Sequence, residues 1–145
     1  MIFMTPLPVN KKKPKTPKKK SLSKLKKQLD QIYSQYIRQS SANKQGLARC
    51  YTCSKEADWK ELQCGHFISR SSLATRFMEE NTKVQCVGCN VFGSGRPVIF
   101  AERLQKEYGK DIIEKLYKEA RKIVKYFPYE EKIKYYTSKL QELSK

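Results

Sequence analysis

The fold is decided by residues 50–90, which read CYTCSKEADWKELQCGHFISRSSLATRFMEENTKVQCVGCN. This stretch contains two C-x-x-C pairs, Cys50/Cys53 and Cys86/Cys89, separated by 32 residues. Two such pairs can supply four thiolates to one tetrahedral zinc ion in a closed structural site. Zinc would then stabilise a segment that is too short to build a large hydrophobic core. We therefore predict a structural Zn²⁺ ion held by all four cysteines.

The same stretch contains a rival set of ligands. Cys64 and His66, the only histidine of the chain, lie between the pairs and could join Cys50 and Cys53 at one metal ion. His66 would then be structural, and no histidine would remain for catalysis. Five cysteines in a chain without a secretion signal argue against a disulfide framework, and so favour metal binding or chemistry.

The charge of the chain indicates a polyanionic partner. Its 145 residues carry 31 Lys and Arg against 14 Asp and Glu, and a net charge of +17 favours nucleic acid. Ten lysines precede the first acid, Asp30, and four prolines lie within residues 1–20. We predict a disordered basic arm over residues 1–20 that contacts phosphates, the alternative being a solubilising tail. The arm residues expected at DNA are Lys11, Lys12, Lys13, Lys18, Lys19 and Lys20.

The hydropathy of the chain excludes an integral membrane protein. No apolar run reaches the roughly 18 residues that a membrane span requires. The opening residues MIFM are too few for the apolar core of a signal peptide. We therefore expect one cytoplasmic domain without a membrane partner.

Outside residues 50–90 the apolar spacing is helical. An amphipathic helix is predicted within residues 21–45, ending near Ser40, and we expect its apolar stripe to pack against the domain or, alternatively, to form a dimer. Pro97 suits the first turn of another helix, which Gly109 would close. Residues 111–145 are predicted to be helical, with Pro128 as an interruption and Asp111 with Glu114 as a capping pair. The first stripe is Leu22, Leu25, Leu29, Ile32 and Tyr36, and the strongest is Ile112, Ile113, Leu116, Tyr117, Ala120, Ile123 and Val124.

His66, Asn81 and Asn90, framed by C-x-x-C pairs, resemble the HNH nucleases, also called His-Me finger or ββα-metal nucleases. The position of Asn90 directly after the last cysteine is similar to that in phage junction resolvases of the endonuclease VII type. More closely, residues 48–110 resemble the NinG/Rap family of phage recombination endonucleases, which cleave branched DNA such as Holliday junctions and D-loops. The matching pieces are CGHFISR (64–70), ATRF (74–77), Asn81, Gln85-Cys86 and Cys89-Asn90.

The resemblance implies an α+β fold. Residues 46–110 would form a small ββα-metal finger with the two zinc knuckles of the four cysteines, flanked by the N-terminal and C-terminal helices. His66 would be the general base, and an unperturbed imidazole is partly neutral at pH 7. Asn90 would bind a catalytic Mg²⁺ or Mn²⁺ ion, and Asn81 would brace the loop and orient His66. The products would carry a 5′-phosphate and a 3′-hydroxyl.

One position departs from the HNH pattern. Many of these nucleases have an Asp directly before the base histidine, where this chain has Gly65. The second protein ligand of the catalytic cation is therefore open, and Cys64 is either a ligand for a softer ion or a packing residue. Three arginines border the motif and are expected to contact DNA phosphates unless they are ordinary surface residues. They are Arg70, Arg76 and Arg96.

Three functions are compatible with these residues. The first is a metal-dependent endonuclease that acts on branched recombination intermediates. The second is a zinc-ribbon DNA-binding protein without catalysis, in which His66 and Asn90 only hold structure. The third is a general HNH nuclease of the nicking or homing kind. The family resemblance favours the first, with branched DNA and a second copy of the chain as expected partners and a phage or prophage gene in a bacterial host.

Overall fold

A computed structural model describes residues 14–145 of the chain. The predictions for Lys11, Lys12 and Lys13 lie outside the described residues. Residues 14–20 form neither helix nor strand and are exposed. The helices are α1 (Leu22–Ser40), α2 (Leu73–Arg76), α3 (Pro97–Tyr108), α4 (Ile112–Ala120) and α5 (Tyr129–Leu143). The strands are β1 (Leu47–Arg49), β2 (Glu56–Asp58), β3 (Gln63–His66) and β4 (Thr82–Gln85).

The strands form two separate antiparallel pairs, so the α+β class is confirmed. β1 pairs with β2, and β3 pairs with β4 in a register that sets Gln63 opposite Gln85 and His66 opposite Thr82. A five-residue π-helical turn, Gly88–Phe92, follows β4.

Helix α1 confirms the predicted helix and its packing against the domain. The Ser21 side chain accepts a hydrogen bond from the Lys24 backbone N–H and caps the first turn, since this donor has no partner within the helix. Its buried face is rotated from the predicted stripe, because Tyr33 is buried and bonds Thr82 on β4 (Oη to Oγ1, 2.6 Å), whereas Leu22 is 71% exposed. The buried residues are Leu25, Leu29, Tyr33 and Ile37.

Helix α5 covers the same face of α1. Its buried Tyr136 ring meets the Tyr33 ring edge-on, with centroids 4.9 Å apart. The face of α1 that the sequence offered as a dimer interface is therefore buried against α5 within one chain.

Helices α3 and α4 enclose a second core. Pro97 begins α3 and Gly109, at φ +102°, follows its end, as predicted. The core residues are Phe100, Leu104, Ile112 and Leu116.

The end of α4 was predicted wrongly. The helix stops at Ala120, and Ile123 is 88% exposed. The Ala120 carbonyl accepts a hydrogen bond from the Ser72 hydroxyl at 3.0 Å, so it is held by a partner outside the helix. Asp111 precedes α4, but its side chain makes no capping hydrogen bond. None of the helices within residues 14–145 is both long enough and apolar enough to span a membrane.

Candidate functional site

Four cysteines meet where the two sheets adjoin. The sulfur atoms of Cys50, Cys53, Cys86 and Cys89 all lie within 4.8 Å of one another, which confirms the predicted cluster. Two turns present these ligands: the Ser54 backbone N–H donates to the Cys50 carbonyl, and the Asn90 N–H donates to the Cys86 carbonyl, both at 2.9 Å. In residues 14–145 the rival set with Cys64 and His66 does not come together.

The protonation of these thiols favours a bound cation. Burial alone would raise the pKa of Cys50, but the Thr52 hydroxyl and backbone groups of the knuckles hydrogen-bond its sulfur and lower the pKa to about 6. A backbone hydrogen bond at Lys55 lowers the pKa of Cys53, yet burial and the three neighbouring thiols outweigh it and raise the pKa to about 12. The neighbouring thiols therefore oppose ionisation of Cys53, and a positive ion among them would favour it. The donor set fits a structural zinc ion.

His66 is the last residue of β3, and its ring is held in one orientation. Its Nε2 lies 2.9 Å from the Arg76 backbone carbonyl. Because a carbonyl only accepts, Nε2 carries the hydrogen, and Nδ1 holds the free lone pair of the neutral ring. Burial lowers the His66 pKa, as do the charges of Arg70 and Arg76, while hydrogen bonds to the backbones of Arg76 and Cys64 oppose the shift. The lowered pKa favours the neutral ring, in which Nδ1 is the basic atom.

An open pocket of about 590 Å³ brings His66 and Asn90 together. Asn90, in the π-helical turn, donates from Nδ2 to the Gln63 side-chain oxygen at 2.8 Å, which leaves its own Oδ1 to face other partners. The lining residues are Ser34, Arg38, Leu62, Gln63, Cys64, His66, Ser69, Arg70 and Asn90.

Asn81 braces the loop that follows His66. It is fully buried, accepts a hydrogen bond from the Ile68 N–H at 2.8 Å and donates to the carbonyls of Ile68 and Thr75 at 3.0 and 3.1 Å. The Asn81 carbonyl also accepts a hydrogen bond from the Phe67 N–H. Asn81 therefore supports His66 through the backbone of this loop.

The absence of an Asp before His66 has a steric explanation. A Cβ atom at Gly65 would lie 2.7 Å from Cδ and 2.9 Å from Cγ of Gln85. The buried Gln85 donates from Nε2 to the Thr52 hydroxyl and to the Gly95 carbonyl, both at 3.0 Å. The Gln85 amide therefore fills the space that a side chain at position 65 would need.

The three predicted arginines have different surroundings. Arg70 is exposed at the rim of the pocket. Arg96 is exposed outside the pocket and packs its side chain on Gly93. The expectation for Arg76 is not met, because its guanidinium forms a bidentate ion pair with Asp30 on α1, at 2.8 and 2.6 Å, and donates to the Arg70 carbonyl at 2.7 Å. Arg76 thereby fixes the segment whose carbonyl holds His66.

The sequence reasoning missed Arg38. This residue of α1 lines the pocket, donates from Nε to the Ser34 carbonyl at 3.1 Å and lies over the Trp59 ring at 5.4 Å. No carboxylate pairs with Arg38 among residues 14–145, and burial lowers its pKa. A desolvated cation without an acidic partner is suited to an anionic ligand. Arg38 lies in the pocket because α1 crosses over β3. The sequence pattern along α1 contains no information about that crossing, so it could not predict the role of Arg38.

The side chains of the pocket do not by themselves make a Mg²⁺ site. No Asp or Glu from the described part of the chain lines it, and Asn90 supplies one neutral oxygen. A hard cation prefers one or two carboxylates or substrate phosphates. Cys64 packs against the α1–α5 core, and burial raises the pKa of its thiol to about 12, as the packing alternative requires.

The comparison with known proteins extends over nearly the whole chain. A family model described as Bacteriophage Lambda NinG protein matches residues 9–145. No curated protein and no solved structure matches the chain. The chain therefore belongs to the NinG family.

Proposed function

We propose that this NinG-family protein is an endonuclease that hydrolyses phosphodiesters in branched DNA recombination intermediates. The observation that carries the proposal is His66, fixed through Nε2 and sharing one pocket with Asn90 and two arginines. A basic nitrogen beside cationic side chains is what an attacking water and a phosphate require.

His66 acts as the general base. Its Nδ1 takes a proton from water, and the hydroxide oxygen attacks phosphorus while the bond from phosphorus to the 3′ oxygen breaks. The leaving oxygen takes a proton from solvent, which gives a 5′-phosphate and a 3′-hydroxyl. The Arg76 carbonyl continues to accept from Nε2–H when the ring becomes positive, so the imidazolium is stabilised without reorientation.

Arg38 and Arg70 bind the phosphodiester. Both line the pocket of His66, and their guanidinium groups can each present two N–H donors to phosphate oxygens. Arg38 is the more restrained of the two, because the Ser34 carbonyl and the Trp59 ring hold it. It would therefore lose less conformational entropy when it binds the substrate.

The two metals have different roles in the proposal. Zinc at the four cysteines cross-links β1 and β4, and it supplies stability rather than chemistry. A divalent cation would bind at Asn90 only together with phosphate oxygens, since the lining residues include no carboxylate. We therefore expect cleavage to require Mg²⁺ or Mn²⁺, bound by Asn90 and the substrate phosphate together.

The branched substrate is proposed from the family. The net charge of +17 supports binding to DNA, and the exposed Lys18 and Lys19 extend the basic surface beyond the pocket. The exposed residues 14–20 could contact one duplex of a junction while the pocket holds a strand of another.

The test compares wild type with His66→Ala and Arg38→Met on labelled four-way junction, D-loop and linear duplex. Each is incubated with Mg²⁺, Mn²⁺ or EDTA, and zinc content is measured in parallel. We expect cleavage of branched DNA that His66→Ala abolishes at unchanged zinc content and that added imidazole partly restores. Binding without cleavage by wild type in every metal would overturn the proposal in favour of a non-catalytic zinc module. Equal cleavage of linear duplex would indicate a general nuclease.

A further inference from the structure

The turn after the last cysteine carries exposed apolar side chains. Phe92 is 84% exposed and Val91 is 56% exposed, both at the end of the π-helical turn. Val98, 70% exposed, follows in the first turn of α3. Exposed apolar side chains grouped in this way mark interaction surfaces more often than isolated ones do. We call Val91 and Phe92 the apolar tip.

The backbone that carries the apolar tip is held by hydrogen bonds, although the side chains are exposed. The Gly93 N–H donates to the Gly88 carbonyl at 2.8 Å, and the Gly95 N–H donates to the Cys89 carbonyl at 2.9 Å. The turn is thus hydrogen-bonded to residues at and beside the cysteine cluster. A side chain on such a turn keeps its position when it meets a partner, so its ordering costs little entropy.

The surroundings of the apolar tip suit DNA. Between Glu80 and Glu102 the sequence contains no acidic residue. The exposed Arg96 folds onto Gly93, directly after Phe92 in the turn, and supplies a cation for phosphate. Asn90, a residue of the pocket with His66, precedes Phe92 by two positions in the same turn.

We propose that Phe92 stacks on a base exposed at the branch point of the DNA substrate, and so directs the pocket to strands beside a branch. Aromatic rings stack on any unpaired base, whereas in an intact duplex a base step must first be unstacked, at a cost of a few kcal/mol, before a ring can enter. This inference rests on the proposed function, since it names the feature of DNA that the same site recognises.

The test measures binding without a chelator, so that zinc stays bound, and every chain compared carries His66→Ala, so that the result does not depend on cleavage. A four-way junction carrying 2-aminopurine at the branch is titrated with this parent chain, Phe92→Ala, Phe92→Trp and the control Ile123→Ala, whose exposed side chain lies beyond α4. Stacking is worth about 1–3 kcal/mol per base, so we expect Phe92→Ala to weaken junction binding by roughly 5- to 150-fold. Binding to linear duplex should change less than about twofold, and Phe92→Trp should retain junction affinity and the 2-aminopurine signal.

Three results would overturn this inference. The first is equal loss of junction and duplex affinity in Phe92→Ala, which would indicate a general contact. The second is an unchanged 2-aminopurine signal. The third is a wild-type dimer in sedimentation that Phe92→Ala converts to monomer, which would assign the apolar tip to a second copy of the chain. If wild type cleaves no DNA in the separate cleavage assay, the proposed nuclease activity is refuted. The 2-aminopurine titration would still report whether Phe92 recognises branched DNA, because it measures binding alone.

Discussion

Replacing Gly65 by Ala tests the packing between β3 and β4 beside the candidate base. The new Cβ would lie 2.7 Å from Cδ and 2.9 Å from Cγ of Gln85, whereas carbon atoms in contact are about 3.5–4.0 Å apart. Gln85 would have to move by most of an ångström. Its Nε2 would then lose its hydrogen bonds to the Thr52 hydroxyl and the Gly95 carbonyl.

The free energy of unfolding should fall by the strength of those two hydrogen bonds and the strain that remains. A buried hydrogen bond contributes about 1 kcal/mol, and leaving its partner unpaired costs about 1–3 kcal/mol. We expect a loss of about 2–4 kcal/mol for Gly65→Ala. The free energy of unfolding falls by about 2 kcal/mol per molar urea, so the urea concentration at the unfolding midpoint would fall by about 1–2 M.

The assay is equilibrium unfolding in urea with saturating zinc, followed by the fluorescence of Trp59, the single tryptophan. The control is Gly88→Ala, where the nearest neighbour of a new Cβ is the Cys86 sulfur at 3.7 Å, an ordinary contact. The double variant Gly65→Ala with Gln85→Ala should lose less than the sum of the single variants, because the overlap is gone. A midpoint for Gly65→Ala equal to that of the control would refute the steric explanation.

Three further predictions concern the base, the ion pair and the cysteines. Because His66 has a lowered pKa, the acid limb of kcat/KM should lie below pH 6.5, and Arg70→Gln should move it to higher pH by removing a nearby cation. Asp30→Asn should cost about 2–3 kcal/mol in urea unfolding, since it leaves the Arg76 side chain, which is 13% exposed, without its carboxylate. Cys89→Ser, or a zinc chelator, should abolish stoichiometric zinc binding and lower the thermal midpoint by more than about 10 °C for a cost of roughly 4 kcal/mol.

Matched controls separate these effects from general damage. Glu56→Gln removes the partner of Arg49 in an ion pair whose side chains are 72% and 44% exposed, so it should cost less than about 1 kcal/mol. A loss equal to that of Asp30→Asn would contradict the distinction between the two pairs. Cys64→Ser, at a cysteine outside the cluster, should still bind zinc stoichiometrically. If Arg70→Gln does not move the pH of the acid limb of kcat/KM, the electrostatic explanation of the His66 pKa is contradicted.

The features predicted correctly from the sequence are those that neighbouring residues determine. The C-x-x-C spacing fixes each cysteine knuckle locally, and Pro97 and the breaker at Gly109 set the two ends of α3 within one turn. The same local logic placed His66 and Asn90 near the zinc ligands, and they share a pocket.

The features that were missed depend on partners far along the chain. The buried face of α1 turns towards Tyr33 because its hydroxyl meets Thr82, 49 residues away. Helix α4 ends at Ala120, whose carbonyl bonds the hydroxyl of Ser72, 48 residues away. Arg76 pairs with Asp30 rather than facing solvent, and no periodicity along one segment contains that information.

The ion pair between Asp30 and Arg76 has a consequence for how this protein can be divided. Helix α1 lies outside the segment between the cysteine pairs, yet it holds the residue whose carbonyl orients His66 and it carries Arg38 into the same pocket. A fragment that began after α1 would keep every zinc ligand and lose both of these contributions. The helix that carries the basic arm is therefore a part of the catalytic centre proposed above, and the smallest competent unit begins with it.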